Sequence, residues 1–250
     1  MLGGCRSPKV ETVETGVAAE NVDLVMQEVS YPTSDRVTIY GSWIVPQSKG
    51  AKRPAAPVVI LLHDYGFDRR DWGVFIPDLV QQGYNVLAID LRGHGKSTEG
   101  GQRLADPNSS ATGSNFLQIG YLDVQGALAW IARRNDADRK HISVIGVGLG
   151  ADLAYICWGK FPNKIRTTVA ISPSFSAVTE SSFVHSAPRS ILFCAATKDS
   201  KGASRMAVES LANFTADPKR IVIYDSAAHG LAMFYKHPEM KREILAWLNH

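Results

Sequence analysis

Two side chains and one turn stand out as able to do chemistry together. Asp199 closes the apolar run Arg189–Ala196 in the segment Ala195-Ala196-Thr197-Lys198-Asp199. His229 lies in Ala228-His229-Gly230, just beyond the run Arg220–Tyr224. A carboxylate that holds one imidazole nitrogen leaves the other free to act as a general base. Each residue also has a plainer reading, Asp199 as a solvated turn aspartate beside Lys198 and Ser200, and His229 as a loop histidine. Upstream of both, His141–Leu153 reads as a strand, a tight turn Gly146-Val147-Gly148-Leu149-Gly150, and a helix. The other histidines carry weaker signals. His63 and His94 look like residues that tie loops together, and His141, His185, His237 and His250 look like surface residues.

The elements that must carry these residues can be read from hydrophobic periodicity. Val22–Ser30 and Val37–Val45 flank the turn Pro32–Asp35 and predict an antiparallel hairpin. Val58–Leu62 is continuously apolar, as expected of a strand buried on both faces. Then helix and strand alternate: helix Asp71–Gln82, strand Tyr84–Asp90, helix Gly120–Arg134, strand His141–Gly146, helix Leu149–Lys160, strands Ile165–Ser172 and Arg189–Ala196, helix Gly202–Phe214, strand Arg220–Tyr224 and helix Pro238–Leu248. Such alternation implies right-handed crossovers and a mostly parallel sheet, with ligands bound at the carboxyl ends of its strands. Asp199, His229 and the glycine turn all fall at such ends. The Gly- and Ser-rich connection Thr98–Ile119 is long enough to roof a site. The link from Ser172 to Arg189 is too short for a helical lid.

Composition sets outer limits. The chain has 250 residues, 45% of them hydrophobic and 20% charged, enough for a sizeable core. A net charge of +3 with the two signs well mixed offers no stripe for nucleic acid. No apolar run is long enough for a transmembrane segment. The three cysteines, Cys5, Cys157 and Cys194, have neither disulfide nor metal spacing, and the latter two read as buried apolar residues. With no metal or phosphate motif, no cofactor is expected. Residues 1–21 form a polar N-terminal segment and residues 22–250 a single α/β domain. Leu2-Gly3-Gly4-Cys5 has the form of a lipobox without the basic and apolar stretches that normally precede one. A cytoplasmic location is expected if Met1 is the native start. If upstream residues were removed, the alternative is a bacterial envelope lipoprotein anchored through Cys5, with residues 6–21 as its tether.

Five stretches in this order resemble the α/β-hydrolases, of the lidless, dienelactone-hydrolase-like kind. Leu61-Leu62-His63-Asp64-Tyr65-Gly66 is similar to the family's H-G-x-G strand end, and Asp90-Leu91-Arg92-Gly93-His94-Gly95-Lys96-Ser97 to its D-x-R-G-H-G-x-S turn. Gly146–Gly150 resembles the nucleophile elbow G-x-S-x-G; Asp199 and His229 match the acid and the base. The resemblance implies a mostly parallel eight-stranded sheet flanked by helices, an antiparallel N-terminal hairpin and no large lid. It also implies an oxyanion hole made by the backbone amides of Tyr65 and Leu149.

Two positions depart from the pattern. Gly148 stands where the family has serine, so the expected catalytic set is His229, Asp199 and a nucleophile position without a hydroxyl. Asp64 stands where the family usually has glycine. Its carboxylate would oppose an oxyanion if it pointed inward, and the expectation is that it points outward as a loop cap. Asp152 is expected to complement the dipole of the helix it begins. Cys194 is too buried to attack, and Ser172, Ser174 and Ser176 are expected to form a turn with Pro173. The expected protein is an inactive or weakly active family member whose open cleft binds a small acyl compound or a protein partner. The alternative is an active hydrolase of small esters or lactones that uses the His229–Asp199 pair with a water or a displaced nucleophile. Replacing Gly148 by serine alone is expected to restore esterase activity.

Overall fold

The computed structural model describes residues 23–47, 54–98, 113–174 and 188–249. Eight strands form one sheet: β1 (Leu24–Pro32), β2 (Thr38–Pro46), β3 (Ala56–Leu62), β4 (Asn85–Ile89), β5 (Ala137–Val147), β6 (Thr167–Ile171), β7 (Arg189–Ala196) and β8 (Ala216–Tyr224). Their spatial order is β1-β2-β4-β3-β5-β6-β7-β8. The hairpin β1–β2 and the pair β2–β4 are antiparallel, and every later pair is parallel. Among the described residues the α-helices are α1 (Ile76–Gln81), α2 (Gly113–Ile131), α3 (Leu149–Lys160), α4 (Ala203–Asn213), α5 (Ala232–Lys236) and α6 (Glu239–Leu248).

Strand β3 shows why the sheet is buried on both sides. Val58, Ile60 and Leu62 pack into a core with residues of α2 and α3, including Leu128, Leu153 and Ile156. The intervening Val59 and Leu61 pack into a second core with Leu79 of α1, Met233 of α5 and Ile244 of α6. Alternation along the strand sends neighbours to opposite faces, so a strand covered on both faces must be apolar throughout. A third cluster joins Ile191, Phe193 and Ala195 of β7 to Val208 and Leu211 of α4.

Several boundaries differ from the sequence reading. The expected helix 71–82 is two pieces, a 3-10 turn Arg69–Val74 and then α1, with the break at Phe75 (φ −130°). Asp68 caps the first piece through a reciprocal capping box with Asp71, and Pro77 fits the first turn of the second, where no N–H is needed. Helix α2 begins at Gly113, taking up part of the segment read as a long loop; residues 99–112 of that loop lie outside the described residues. Helix α5 was not foreseen. Residues 1–21, Cys5, Ser176, His185 and His250 also lie outside the described residues. Cys157 and Cys194 are buried free thiols. No helix among the described residues is long and apolar enough to cross a membrane.

The parallel register decides what meets at the carboxyl edge. Leu62 of β3 is level with Gly146 of β5. Two residues further along each strand, Asp64 and Gly148 emerge side by side.

Candidate active site

The turn after β5 is built for close approach. A Cβ at Gly150 would collide with the carbonyl oxygens of Leu62 and His63, so only glycine lets α3 start this near β3. Gly148 has φ +53° and ψ −117°, its N–H donates to the Ile171 carbonyl at 2.9 Å, and its carbonyl accepts from Ala151 and Asp152 as α3 begins. A Cβ here would stand 2.5 Å from Asp64 Oδ2 and closer still to Cγ and Oδ1. The volume a side chain at Gly148 would fill is therefore taken by the Asp64 carboxylate.

This corrects the expectation for Asp64, which points inward. Its Oδ1 accepts hydrogen bonds from Tyr65 N at 2.7 Å and from Leu149 N at 2.9 Å, the same two amides the sequence singles out. Its Oδ2 lies 2.9 Å from His229 Nε2. Two amide donors and an imidazole converge on a single carboxylate, and their attraction for a fixed anion outweighs the loop-cap conformation. Burial pushes the Asp64 carboxyl up, but hydrogen bonds from His229, Leu149 and Tyr65 more than offset it and hold it below the usual carboxylate range.

Asp199 and His229 come together as the sequence suggests, with His229 Nδ1 at 2.8 and 2.9 Å from the two oxygens of Asp199. Asp199 is buried (1% exposed), and Ser200 Oγ also donates to it at 3.1 Å. The loop behind it is strained: Ser200 and Lys201 have φ of 48° and 59°, a left-handed conformation that costs a non-glycine residue about 1–2 kcal/mol. These two residues directly follow Asp199, whose side chain is buried. His229 sits on the loop after β8, fixed by Gly230 N donating to Ser172 Oγ at 3.0 Å.

Both ring nitrogens of His229 thus face a carboxylate, and both must carry protons to donate. The Asp64 hydrogen bond is the largest influence; burial opposes it and Asp199 adds to it, raising the His229 pKa to about 9. The site at rest is an imidazolium between two carboxylates. Its side chain remains 43% exposed, so it is reachable from the cleft.

The cleft itself has a volume of about 280 Å³ and is walled by Phe67, Val74, Val147, Leu231, Ala232 and Tyr235, with His63, Asp64, Asp71 and His229 as its main polar groups. Volume and lining suit a small, mostly apolar molecule.

The remaining candidates are structural. His63 accepts from Leu91 N at Nε2 (3.0 Å), so Nδ1 carries the proton and donates to the Asp64 carbonyl (2.6 Å). Burial lowers its pKa to about 4, keeping it neutral. His94 donates through Nδ1 to the Arg92 carbonyl. His141 pairs with Asp138 at the surface, whereas His237 is mostly covered and packs on the Tyr224 ring, against the surface reading. Asp152 is also corrected. It is fully buried and accepts from Ser174 N at 2.8 Å and from Ser174 Oγ, pinning the chain after β6, and burial raises its pKa to about 8. Among the described residues, no group of three or more His, Cys, Asp or Glu could hold a metal ion.

The sequence contained a signal for the inward Asp64. A large residue where glycine is usual faces a glycine where serine is usual, a complementary exchange of volume. Only the register of β3 against β5 makes the two positions neighbours.

Comparison with known proteins agrees with this architecture. Residues 59–238 match the model of the alpha/beta hydrolase family. Epoxide hydrolase B of Mycobacterium tuberculosis is 30% identical over 120 residues, which are 48% of this chain and only 30% of that protein's length. An esterase of Pyrococcus furiosus superposes with a TM-score of 0.67 at 21% identity, covering 90% of this chain and 92% of that one. A dienelactone hydrolase from Anabaena variabilis superposes with a TM-score of 0.69 at 19% identity, covering 91% and 98%. With the sheet order, the glycine turn at its carboxyl edge and a family match spanning most of the sequence all in agreement, the chain belongs to the alpha/beta hydrolase family.

Proposed function

We propose that this family member does not carry out serine-type acyl transfer, and that its cleft binds small, neutral, mostly apolar molecules. The observation that carries this reading is the Asp64 carboxylate, which takes up both the space beside Gly148 and the two amides of Tyr65 and Leu149. An ester carbonyl that entered the cleft would find no hydroxyl at Gly148. The anion already seated on the amides would also repel the negative charge developing on the carbonyl oxygen. The same carboxylate displaces any water that could stand in for a serine hydroxyl beside Gly148. The apolar walls favour ligands without charge, and Asp64 disfavours carboxylates among them. In this reading Asp199 orients His229, and His229 and Asp64 face the ligand.

The test has two arms. Hydrolysis of p-nitrophenyl acetate should stay at the uncatalysed rate, with no acyl burst. A thermal-shift panel of small neutral esters, lactones, cyclic ethers and epoxides should raise the melting temperature by mass action, while carboxylates of the same size should not. Epoxides join the panel because a curated relative is an epoxide hydrolase. Turnover of the acetate, or a shift with carboxylates alone, overturns the reading.

A further inference from the structure

We propose that two copies of this chain join through the outer edge of β1, antiparallel and in a register centred on Val25. Among the described residues β1 pairs only with β2 and forms one margin of the sheet. An open margin offers unpaired N–H and C=O groups to any strand, and proteins usually blunt it with charges or proline. The margin at β8 is blunted in this way by Asp217, Pro218 and Arg220, all exposed; Pro218 has no N–H to give. The first part of β1 has no such guard. It reads Leu24-Val25-Met26-Gln27, with Leu24 37%, Val25 47% and Met26 70% exposed. Side chains alternate along a strand, so Val25 leaves on one face and Leu24 and Met26 on the other. On the Leu24 and Met26 face lies a groove of about 360 Å³, walled by these two residues with Ile44 of β2 and Ile76 and Pro77 of α1.

The patch is complementary to itself, as a two-fold interface must be. Residues opposite one another in an antiparallel pair share a face. With Val25 on the axis, Leu24 therefore lies opposite the partner's Met26, and Met26 opposite the partner's Leu24. Within the chain Met26 is level with Ile44, Val25 with Val45 and Leu24 with Pro46. The join thus continues each apolar row. On the groove side the row is Ile44, Met26, the partner's Leu24 and the partner's Pro46. On the other side it is Val45, Val25, the partner's Val25 and the partner's Val45. Moving the axis to Met26 would set Leu24 against the partner's Glu28, and moving it to Leu24 would set Val25 against the partner's Asp23. The hydrophobic pattern therefore selects Val25. At either end Asp23 faces the partner's Gln27, whose amide can donate to the carboxylate. The charges around the patch pair within the chain, Arg70 with Asp68 and Glu28 with Arg69 and Lys96. The patch shows no net charge to an acidic or a basic partner, and a second copy meets no repulsion. The join lies far from the cleft. Strand β1 runs in the same direction as β4, since both are antiparallel to β2. Leu24 therefore sits at the amino edge of the sheet, opposite the edge that carries the cleft, and both clefts stay open whatever they bind.

The experiment uses the full chain with Cys5→Ser, so that the remaining native thiols are the buried Cys157 and Cys194. Residues paired on the axis have Cα atoms about 4.5–5.5 Å apart, within the ~4.4–6.8 Å that a disulfide spans. Val25→Cys should therefore be captured by mild oxidation as a covalent dimer. Gln27→Cys lies on the same face, but its two copies are four residues out of register, about 13–14 Å apart at ~3.4 Å per residue, and should not be captured. Light scattering after size exclusion supplies the second arm. The parent should show twice the single-chain mass. Val25→Lys and Val25→Glu, at an exposed position that tolerates them, should each be monomeric because like charges meet on the axis. Their equimolar mixture should return to the dimer mass. Equal capture of the two cysteine variants, or a mixture no larger than its components, overturns the proposal. So does a parent of single-chain mass; if removal of residues 1–21 then yields the dimer, that segment and not a second copy covers the edge.

Discussion

A side chain at Gly148 and the carboxylate of Asp64 cannot share the same space, and that exclusion can be measured. A Cβ at Gly148 would fall at most 2.5 Å from each atom of the carboxylate, so Gly148→Ser must expel Asp64. The substitution first forces serine into φ near +53°, at about 1–3 kcal/mol. It then breaks the hydrogen bonds from Tyr65 N, Leu149 N and His229. Hydrogen bonds to a charged group contribute about 1.5–3 kcal/mol each when buried. Here the His229 side chain is 43% exposed and the freed carboxylate regains water, so about 2–4 kcal/mol for the set is the appropriate scale. Gly148→Ser should thus lose about 3–7 kcal/mol, a drop on the order of 10 °C in melting temperature for a chain of this length. Asp64→Gly loses the same hydrogen bonds without the strain. The double variant should therefore be about 2–4 kcal/mol more stable than the sum of the single changes implies, far outside the ~0.5 kcal/mol scatter of independent sites. Thermal or urea unfolding of the four proteins measures this cycle. Additive losses within about 0.5 kcal/mol would refute the steric exchange. The same four proteins decide the esterase question. Serine alone should not restore hydrolysis of p-nitrophenyl acetate, contrary to the sequence-based expectation, and the double variant should, because only there are the hydroxyl and the two amides both free.

Other outcomes follow from the charges. The His229 ring should titrate near pH 9 by NMR, and Asp64→Asn, which removes the largest cause of that shift, should bring it down toward the ordinary value. Because this pKa is raised on folding, its stabilising contribution is complete below about pH 6.5 and disappears as the pH rises through about 9; the melting temperature of the parent should fall over that window more than that of Asp64→Asn. Asp152 titrates near 8 when folded, so its burial becomes progressively unfavourable from about pH 4 to 8; Asp152→Asn, which keeps an acceptor for Ser174 N, should gain in melting temperature over the parent across that range. Ile60→Ala, at a fully buried position of β3, should cost about 2–5 kcal/mol in urea unfolding.

Local pattern alone made much of this protein legible. The continuous apolar run Val58–Leu62 announces a strand covered on both faces, because neither face of such a run can meet water. The repeated change from period 2 to period 3.6 implies parallel crossovers, and strand ends followed by Gly, Asp or His announce where a site would lie. Asp199 and His229 could be paired, and Tyr65 and Leu149 named as amide donors, because the five motifs resemble those of the α/β-hydrolases and the resemblance implies these roles. The tertiary structure decided the rest. Whether a helix continues past Phe75 depends on how Trp72 and Phe75 pack beneath it, which no local propensity fixes. Asp152 looked like an ordinary first-turn acid until the chain after β6 was seen to cover it. The direction of the Asp64 side chain was the least accessible feature. Asp64 and Gly148 are separated by more than eighty residues and become neighbours only because Leu62 and Gly146 are level in adjacent parallel strands. A carboxylate turns outward to water unless fixed donors repay its dehydration, and the two amides and one imidazole that do so come from the ends of three different strands.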